Sequence, residues 1–230
     1  MRYKLIIFDI DGTITTHISS WRYIHEKLGL WQDRAFRYQE DFFAGKISYR
    51  KFCELDAAHW KGMNESRIRN IFKSVRYSRN VKWCIKKLKT HGFKLVAVST
   101  GLQYIPDRIK KEMAFDYAVS NRLVARKGKL TGGVSIKLAH GAKHEVLETI
   151  FKKFGARPRE AISVGDSEGD IPLARETGYS IAFNSTSREL SKMVDYNCRT
   201  RDFKEVYRKI IEITSKKGTP IFTRYSTDKK

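Results

Sequence analysis

Four short apolar runs stop abruptly at polar turns along this chain: residues 5–8 (Leu-Ile-Ile-Phe), 93–98, 161–164 and 179–183. Unbroken apolar runs of this length predict strands buried on both faces. Helical spacing between the later runs gives the strand, helix, strand alternation of an α/β, doubly wound, Rossmann-like parallel sheet. Ligands in such sheets sit beyond the carboxyl ends of the strands. From residue 9 to 92 there is no comparable run, and the gap is too long for a simple crossover, so an inserted unit is expected there.

The inserted stretch carries a helical pattern. Ser19 can cap a helix whose apolar positions Trp21, Ile24 and Leu28 recur at three and four residues, and Gly29 can close it. Further helices are predicted at about 33–44, 48–61 and 65–75. Twelve of the 66 residues from 15 to 80 are aromatic, against 12% of the whole chain, which supplies the anchors a small helical bundle needs. The expected organisation is a core of 1–14 and 81–214, a helical cap over 15–80 and a basic tail over 215–230. Within the core, a helix containing Pro106 follows the second strand. Residues 117–126 and 130–137 read as a β-hairpin around Lys127-Gly128-Lys129, and helices are expected at about 142–154 and 202–214.

Composition narrows the class. Charges interrupt every apolar stretch well before the roughly 20 residues of a membrane span, and the chain opens on a strand-like segment, so a soluble cytoplasmic protein is expected. Cys53, Cys84 and Cys198 are odd in number and widely spaced, which argues against a disulfide framework or a four-ligand zinc site. A net charge of +21 would attract any polyanion. The basic residues are nevertheless dispersed: Lys82, Lys86, Lys87 and Lys89 on one helix, Arg157 and Arg159 in a loop, and Lys216, Lys217, Lys229 and Lys230 in the tail. Solvated faces account for them, and nucleic acid is set aside as a partner. His140 and His144, four residues apart, could share one exposed helix face.

The candidate chemistry begins at Phe8-Asp9-Ile10-Asp11-Gly12-Thr13. Period-two geometry sends Asp9 and Asp11 to the same side, where they would repel and raise each other's pKa until a divalent cation relieved them. An Asp-Gly turn is the plainer alternative. Ser99-Thr100-Gly101 ends the second strand and offers a hydroxyl and open backbone N–H groups as a cradle for phosphate oxygens. Gly165-Asp166-Ser167-Glu168-Gly169-Asp170 ends the third, with Pro172 suited to the first turn of the next helix. Together with Asp9 and Asp11, Asp166 and Asp170 make an oxygen-rich site suited to Mg²⁺. Lys143, near a helix start that disfavours a cation, could reach this cluster.

In this order, Asp9-x-Asp11-Gly12-Thr13, Ser99, Lys143 in Lys143-His144-Glu145-Val146-Leu147, and Gly165-Asp166-x-x-x-Asp170 resemble the haloacid dehalogenase superfamily. Asn121-Arg122-Leu123 and Gly128-Lys129-Leu130-Thr131-Gly132 are similar to its phosphoserine-phosphatase-like branch. The resemblance implies an Mg²⁺-dependent phosphatase of small phosphorylated metabolites. In it Asp9 is the nucleophile that becomes an aspartyl-phosphate, and Asp11 is the acid and then the base. Ser99, Thr100, Gly101 and Lys143 would bind the phosphoryl group. The metal would lie on Asp9, the Asp11 backbone carbonyl and Asp166, with Asp170 as a ligand or an orienting group.

The substrate end departs from that branch. Its cap glutamate falls at Ile18, and its cap arginine falls near Glu54 to Asp56, although a shift of register would bring in Arg50. Phosphoserine is therefore expected to be a poor substrate, and Ile18, Trp21, Arg22 and Lys46 are the candidates for specificity. Phosphoserine hydrolysis, phosphoryl transfer to an acceptor other than water, as in phosphomutases, and nucleic-acid binding are the rival readings. The assembly is expected to be a monomer or homodimer.

Overall fold

The computed structural model describes residues 2–17 and 19–215, Asp33 by its backbone only; Ile18 and most of the basic tail lie outside the described residues. In chain order, β1 (Leu5–Phe8) is followed by four helices, α1 (Ser20–Leu28), α2 (Phe36–Phe43), α3 (Tyr49–His59) and α4 (Glu65–Lys73). Next come α5 (Val81–Thr90), β2 (Lys94–Leu102), α6 (Tyr104–Met113), β3 (Tyr117–Arg126) and β4 (Lys129–Ser135). The rest comprises α7 (Leu147–Phe154), β5 (Ala161–Gly165), α8 (Ile171–Glu176), β6 (Tyr179–Phe183), α9 (Arg188–Met193), β7 (Tyr196–Cys198) and α10 (Lys204–Ser215).

The strands form one sheet in the order β4-β3-β2-β1-β5-β6-β7. All neighbours run parallel except the β3/β4 hairpin. Strand β1 sits where the winding reverses, with β2 on one side and β5 on the other, and a doubly wound sheet opens its binding crevice at that reversal. Alternation along β1 builds both layers: Ile6 and Phe8 join one core, which continues into the inserted helices, while Leu5 and Ile7 join the other with Leu147 and Ile150 of α7. Among the described residues, no helix is long and apolar enough to cross a membrane.

Local chemistry accounts for the element ends. The Ser19 hydroxyl accepts from the Arg22 N–H, and Gly29 closes α1 at φ 71°. In the hairpin, Lys127 and Gly128 both have positive φ, 48° and 74°, as a two-residue I′ turn requires.

Four expectations change. The helix expected at 33–44 is a π-helical turn, Trp31–Ala35, followed by α2, and the one at 142–154 is a 3₁₀ turn, Lys143–Val146, followed by α7. The first hairpin strand also pairs in parallel with β2 and so belongs to the main sheet. His140 and His144 share no helix face: His140 lies in the loop before the 3₁₀ turn, its ring against Phe42, Phe43 and Tyr49. The short elements α9 and β7 add a seventh strand at the sheet edge.

Candidate active site

Three adjacent strands deliver the polar residues to one place. Asp9 directly follows β1, and its N–H still bonds the Val164 carbonyl of β5 at 2.9 Å, so the carboxyl leaves from the strand end. Ser99 lies in the second half of β2, Asp166 and Asp170 follow β5, and Lys143 opens the 3₁₀ turn before α7. Ser99, Lys143 and Asp170 are each 2% exposed and Asp9 is 4% exposed, so these four are withdrawn from bulk water, while Asp166 is half-buried. A solvated Lys143 is excluded.

Lys143 joins the two halves. Its ammonium donates to Oδ1 of Asp9 and, at 2.6 Å, to Oδ1 of Asp170. The other oxygen of Asp170 accepts from the N–H groups of Asp166 and Ser167 at 3.0 and 3.1 Å, which folds the loop after β5 around it. The Thr13 hydroxyl donates to Asp166 Oδ1 at 2.8 Å. Asp9, Asp166 and Asp170 each present a carboxylate oxygen within 4.8 Å of the others.

Such crowding perturbs titration. Burial drives the Asp9 carboxyl well above its ordinary range against the pull of Lys143, and the charges of Asp170 and Asp166 push the same way. Asp166 is pushed up to about 7 by burial and then by Asp170. Burial would favour a neutral Lys143 amine, but Asp170 and Asp9 more than reverse this and hold it charged. Two buried carboxylates and a half-buried one facing one ammonium leave negative charge uncompensated, and Oδ2 of Asp9 is buried without a hydrogen-bond partner. All-oxygen donors, an excess of negative charge and an orphaned oxygen fit a hard divalent cation.

Asp9 and Asp11 do not project together. The chain turns after Ile10, whose carbonyl accepts from the N–H groups of Thr13 and Thr15, and strand alternation no longer applies. The Asp11 carboxylate instead points to the inserted helices: Oδ2 accepts the Ser20 N–H at 2.8 Å, and Oδ1 lies 3.1 Å from His17 Nε2 at an angle poor for a hydrogen bond. Burial would raise this carboxyl, yet the His17 charge and the Ser20 N–H hold it below its ordinary value. Its side chain thus stands outside the carboxylate cluster, in keeping with a resemblance that assigns only its backbone carbonyl to the metal.

The turn and the cradle both need glycine. Gly12 has φ 92°, and a Cβ there would collide with the Asp166 carboxylate. A Cβ on Gly101 would strike Ser20 Oγ and lie 2.6 Å from Asp11 Oδ2. The Gly101 N–H, expected to face a phosphate oxygen, donates to Ser99 Oγ at 2.9 Å. The Thr100 carbonyl is turned toward the inserted helices.

Of the residues expected to set specificity, Ile18 lies outside the described residues. Trp21 is buried at the seam, stacked on Trp60, and its Nε1–H donates to the Thr100 carbonyl at 3.1 Å. Arg22 is engaged with Glu26 at 2.6 Å and over the Trp31 ring, and Lys46 pairs with Asp41 at 3.0 Å on the surface. The structure brings neither to the carboxylate cluster. The placing of Glu54 to Asp56, where the branch has its cap arginine, at the substrate end is corrected as well. Glu54 is exposed, whereas Asp56 is 1% exposed and lies 3.1 Å from His25 inside the inserted bundle, where burial raises its carboxyl. Sequence reasoning gave no role to His17, Ser20 or Tyr49, which belong to no motif, and marked Asn121 only as part of the resembling Asn121-Arg122-Leu123 without a chemical role; only the fold sets them beside Asp11 and Thr100.

Comparison with known proteins agrees with this geometry. The family model for the haloacid dehalogenase-like hydrolases matches residues 6–175. A phosphoserine phosphatase of Methanocaldococcus jannaschii is 28% identical over 208 residues, covering 90% of this chain and 97% of the relative. One of Albidiferax ferrireducens is 30% identical over 200 residues, covering 83% and 84%. A solved structure of a phospho-aspartyl intermediate analogue of phosphoserine phosphatase superposes with a TM-score of 0.78 at 28% identity, covering 91% of this chain and 99% of that one. With its carboxylates, lysine and serine gathered at the reversal of a doubly wound sheet, the chain belongs to the haloacid dehalogenase-like hydrolases.

Proposed function

We propose that the protein is a metal-dependent phosphatase that hydrolyses a small phosphate monoester through an aspartyl-phosphate on Asp9. The observation that carries this is the asymmetry of that one carboxylate: Oδ1 is held by Lys143, and Oδ2 is buried and unpartnered, while oxygens of Asp166 and Asp170 lie within 4.8 Å of an Asp9 carboxylate oxygen. Asp9, Asp166 and Asp170 would hold the cation, taken to be Mg²⁺, which supplies charge neutralisation for the phosphoryl group. Lys143 keeps the Asp9 oxygen oriented and adds positive charge where the phosphoryl oxygens gather. Ser99 donates its hydroxyl to one of those oxygens.

In the first step an Asp9 oxygen bonds to phosphorus, the ester P–O bond breaks, and the leaving oxygen takes a proton from Asp11, which has to enter the step protonated against the pull of His17 and the Ser20 N–H. In the second, Asp11 takes a proton from water, the resulting hydroxide bonds to phosphorus, and the Asp9–phosphorus bond breaks to release phosphate. The Ser20 N–H and His17 hold Asp11 in place for both transfers. The burial of Asp9, Ser99, Lys143 and Asp170 strengthens each of these interactions.

Phosphoserine is the second reading, favoured by the names of the relatives. Against it, position 56 offers a buried aspartate tied to His25 and not a cation facing the pocket. The cytoplasm, where three unpaired thiols remain reduced, is the compartment that fits. Phosphate release from a panel of phosphoserine, sugar phosphates and nucleoside monophosphates tests both readings, with Asp9→Asn as the control. Asp9→Asn should fold and release no phosphate, and substantial turnover by it would remove the covalent mechanism. Phosphoserine leading the panel in kcat/KM would select the second reading.

A further inference from the structure

The segment expected to bind phosphate is irregular in a specific way. Val98 pairs with Val119 and Leu102 with Asn121, so three residues of β2, Ser99 to Gly101, stand opposite the single residue Ser120 of β3. Extra residues in one strand of a pair leave backbone groups without ladder partners, and those groups must be satisfied in another way. The Thr100 carbonyl is such a group. It accepts from Asn121 Nδ2 at 2.9 Å, from the Tyr49 hydroxyl at 2.8 Å and from Trp21 Nε1 at 3.1 Å. Asn121 is fully buried and belongs to the sheet, whereas Tyr49 opens α3 and Trp21 lies in the first turn of α1.

The direction of that carbonyl has a consequence across the peptide bond. A trans peptide is planar, and its C=O and N–H point in opposite directions. Fixing the Thr100 carbonyl toward the inserted helices therefore fixes the Gly101 N–H away from them, and that N–H donates to Ser99 Oγ at 2.9 Å. With one lone pair of Oγ occupied in this way, the Ser99 hydroxyl hydrogen is restricted to the remaining directions. Nearby, Ser20 Oγ accepts the Leu102 N–H at 2.9 Å and the Ser20 N–H holds Asp11, so α1 grips both ends of the site.

We infer that Tyr49 and Trp21 form a latch through which closure of the inserted helices orients the Ser99 hydroxyl for a phosphoryl oxygen. They are positioning residues: they touch the Thr100 carbonyl and act through the Thr100–Gly101 peptide. This rests on the reading of Ser99 as a phosphoryl ligand given under Proposed function. When the helices swing away, Asn121 alone holds the carbonyl, the peptide is freer to rotate, and the serine loses its fixed direction. Phosphate affinity and closure are thereby coupled, and by reciprocity bound phosphate favours the closed form.

The test is a double-mutant cycle on the full chain in the presence of Mg²⁺, with inorganic phosphate binding followed by titration calorimetry and KM and kcat measured in parallel. Tyr49→Phe keeps the ring and removes only the hydroxyl, and it should weaken phosphate binding about fivefold, the effect of one modest hydrogen bond. KM should rise in step while kcat changes less. In a Ser99→Ala background the same change should cost nothing further, because the group it orients is gone. Equal costs of Tyr49→Phe with and without Ser99 would show an independent structural role and overturn the latch, and so would phosphate binding unaffected by Tyr49→Phe. Should that variant fold poorly by circular dichroism, Trp21→Phe is read by the same cycle. If the wild type releases phosphate from no ester but shows the coupling, the hydrolytic reading falls and the latch stands. If esters are hydrolysed with no coupling, the latch alone falls.

Discussion

Withdrawing the divalent cation should make the folded protein lose stability as pH rises from about 5 to about 8. The reason lies in the stacked carboxylates. Asp166 titrates near 3.8 in an unfolded chain and is pushed up to about 7 in the folded one by burial and by Asp170. A raised folded value means that the stability tied to this group is fully present below about pH 4 and is lost as pH climbs through about 7. At 1.36 kcal/mol per pH unit, the part of this loss that falls between about pH 5 and 8 is roughly 2–3 kcal/mol, or roughly 5–10 °C in Tm for a chain of this size. Asp9, also raised by burial, contributes in the same direction. A cation at 100 times its Kd would return about 2.7 kcal/mol, more at high pH than at low, because only ionised carboxylates bind it. The assay is thermal or urea unfolding in chelator and in Mg²⁺ across that pH range, for wild type and Asp166→Asn. Subtracting the variant cancels titrations common to both, including those of the histidines. The chelated wild type should fall relative to the variant as pH rises, and Mg²⁺ should close the gap. Parallel chelated curves for the two proteins would refute the reasoning, and so would a wild type that gains on the variant at high pH.

Other outcomes follow from single residues. Asp11→Asn should reduce turnover of alkyl phosphates by at least about 10², while an aryl phosphate with a good leaving group, which needs no proton, should still give a burst of one equivalent before the second step stalls. Gly12→Ala should cost about 1–2 kcal/mol in backbone strain and weaken metal binding by displacing Asp166, visible as a right-shifted Mg²⁺ titration of Tm. His25→Ala should destabilise the protein by about 3–5 kcal/mol, because Asp56 is left buried without its partner; a denaturant midpoint within error of wild type would show that the pair carries no weight. Asp56→Arg should not raise kcat/KM for phosphoserine, since position 56 lies inside the helical bundle, and a gain over wild type would show that it reaches the substrate.

Much of this protein was legible in one dimension because the relevant physics is local. The apolar runs at 5–8, 93–98, 161–164 and 179–183 are strands because a sheet covered on both faces accepts nothing else. Ser19 and Gly29 bracket α1 because a hydroxyl and a left-handed residue satisfy helix ends, and Lys127-Gly128 turns the hairpin because both can take positive φ. Strand β7, three residues long, has too few alternations to register. The site divides along the same line. Asp9, Ser99, Lys143, Asp166 and Asp170 stand at strand ends or turns, so topology alone collects them. The direction of Asp11, the removal of Asp56 into a pair with His25, and the hold of Tyr49 and Asn121 on Thr100 depend on side chains from elements distant in sequence. A strand's period says which way a side chain leaves the backbone only while the strand lasts. Beyond Phe8, and at every residue whose partner comes from another element, desolvation and hydrogen-bond satisfaction in the assembled fold set the direction, and these exist only once the chain has closed on itself.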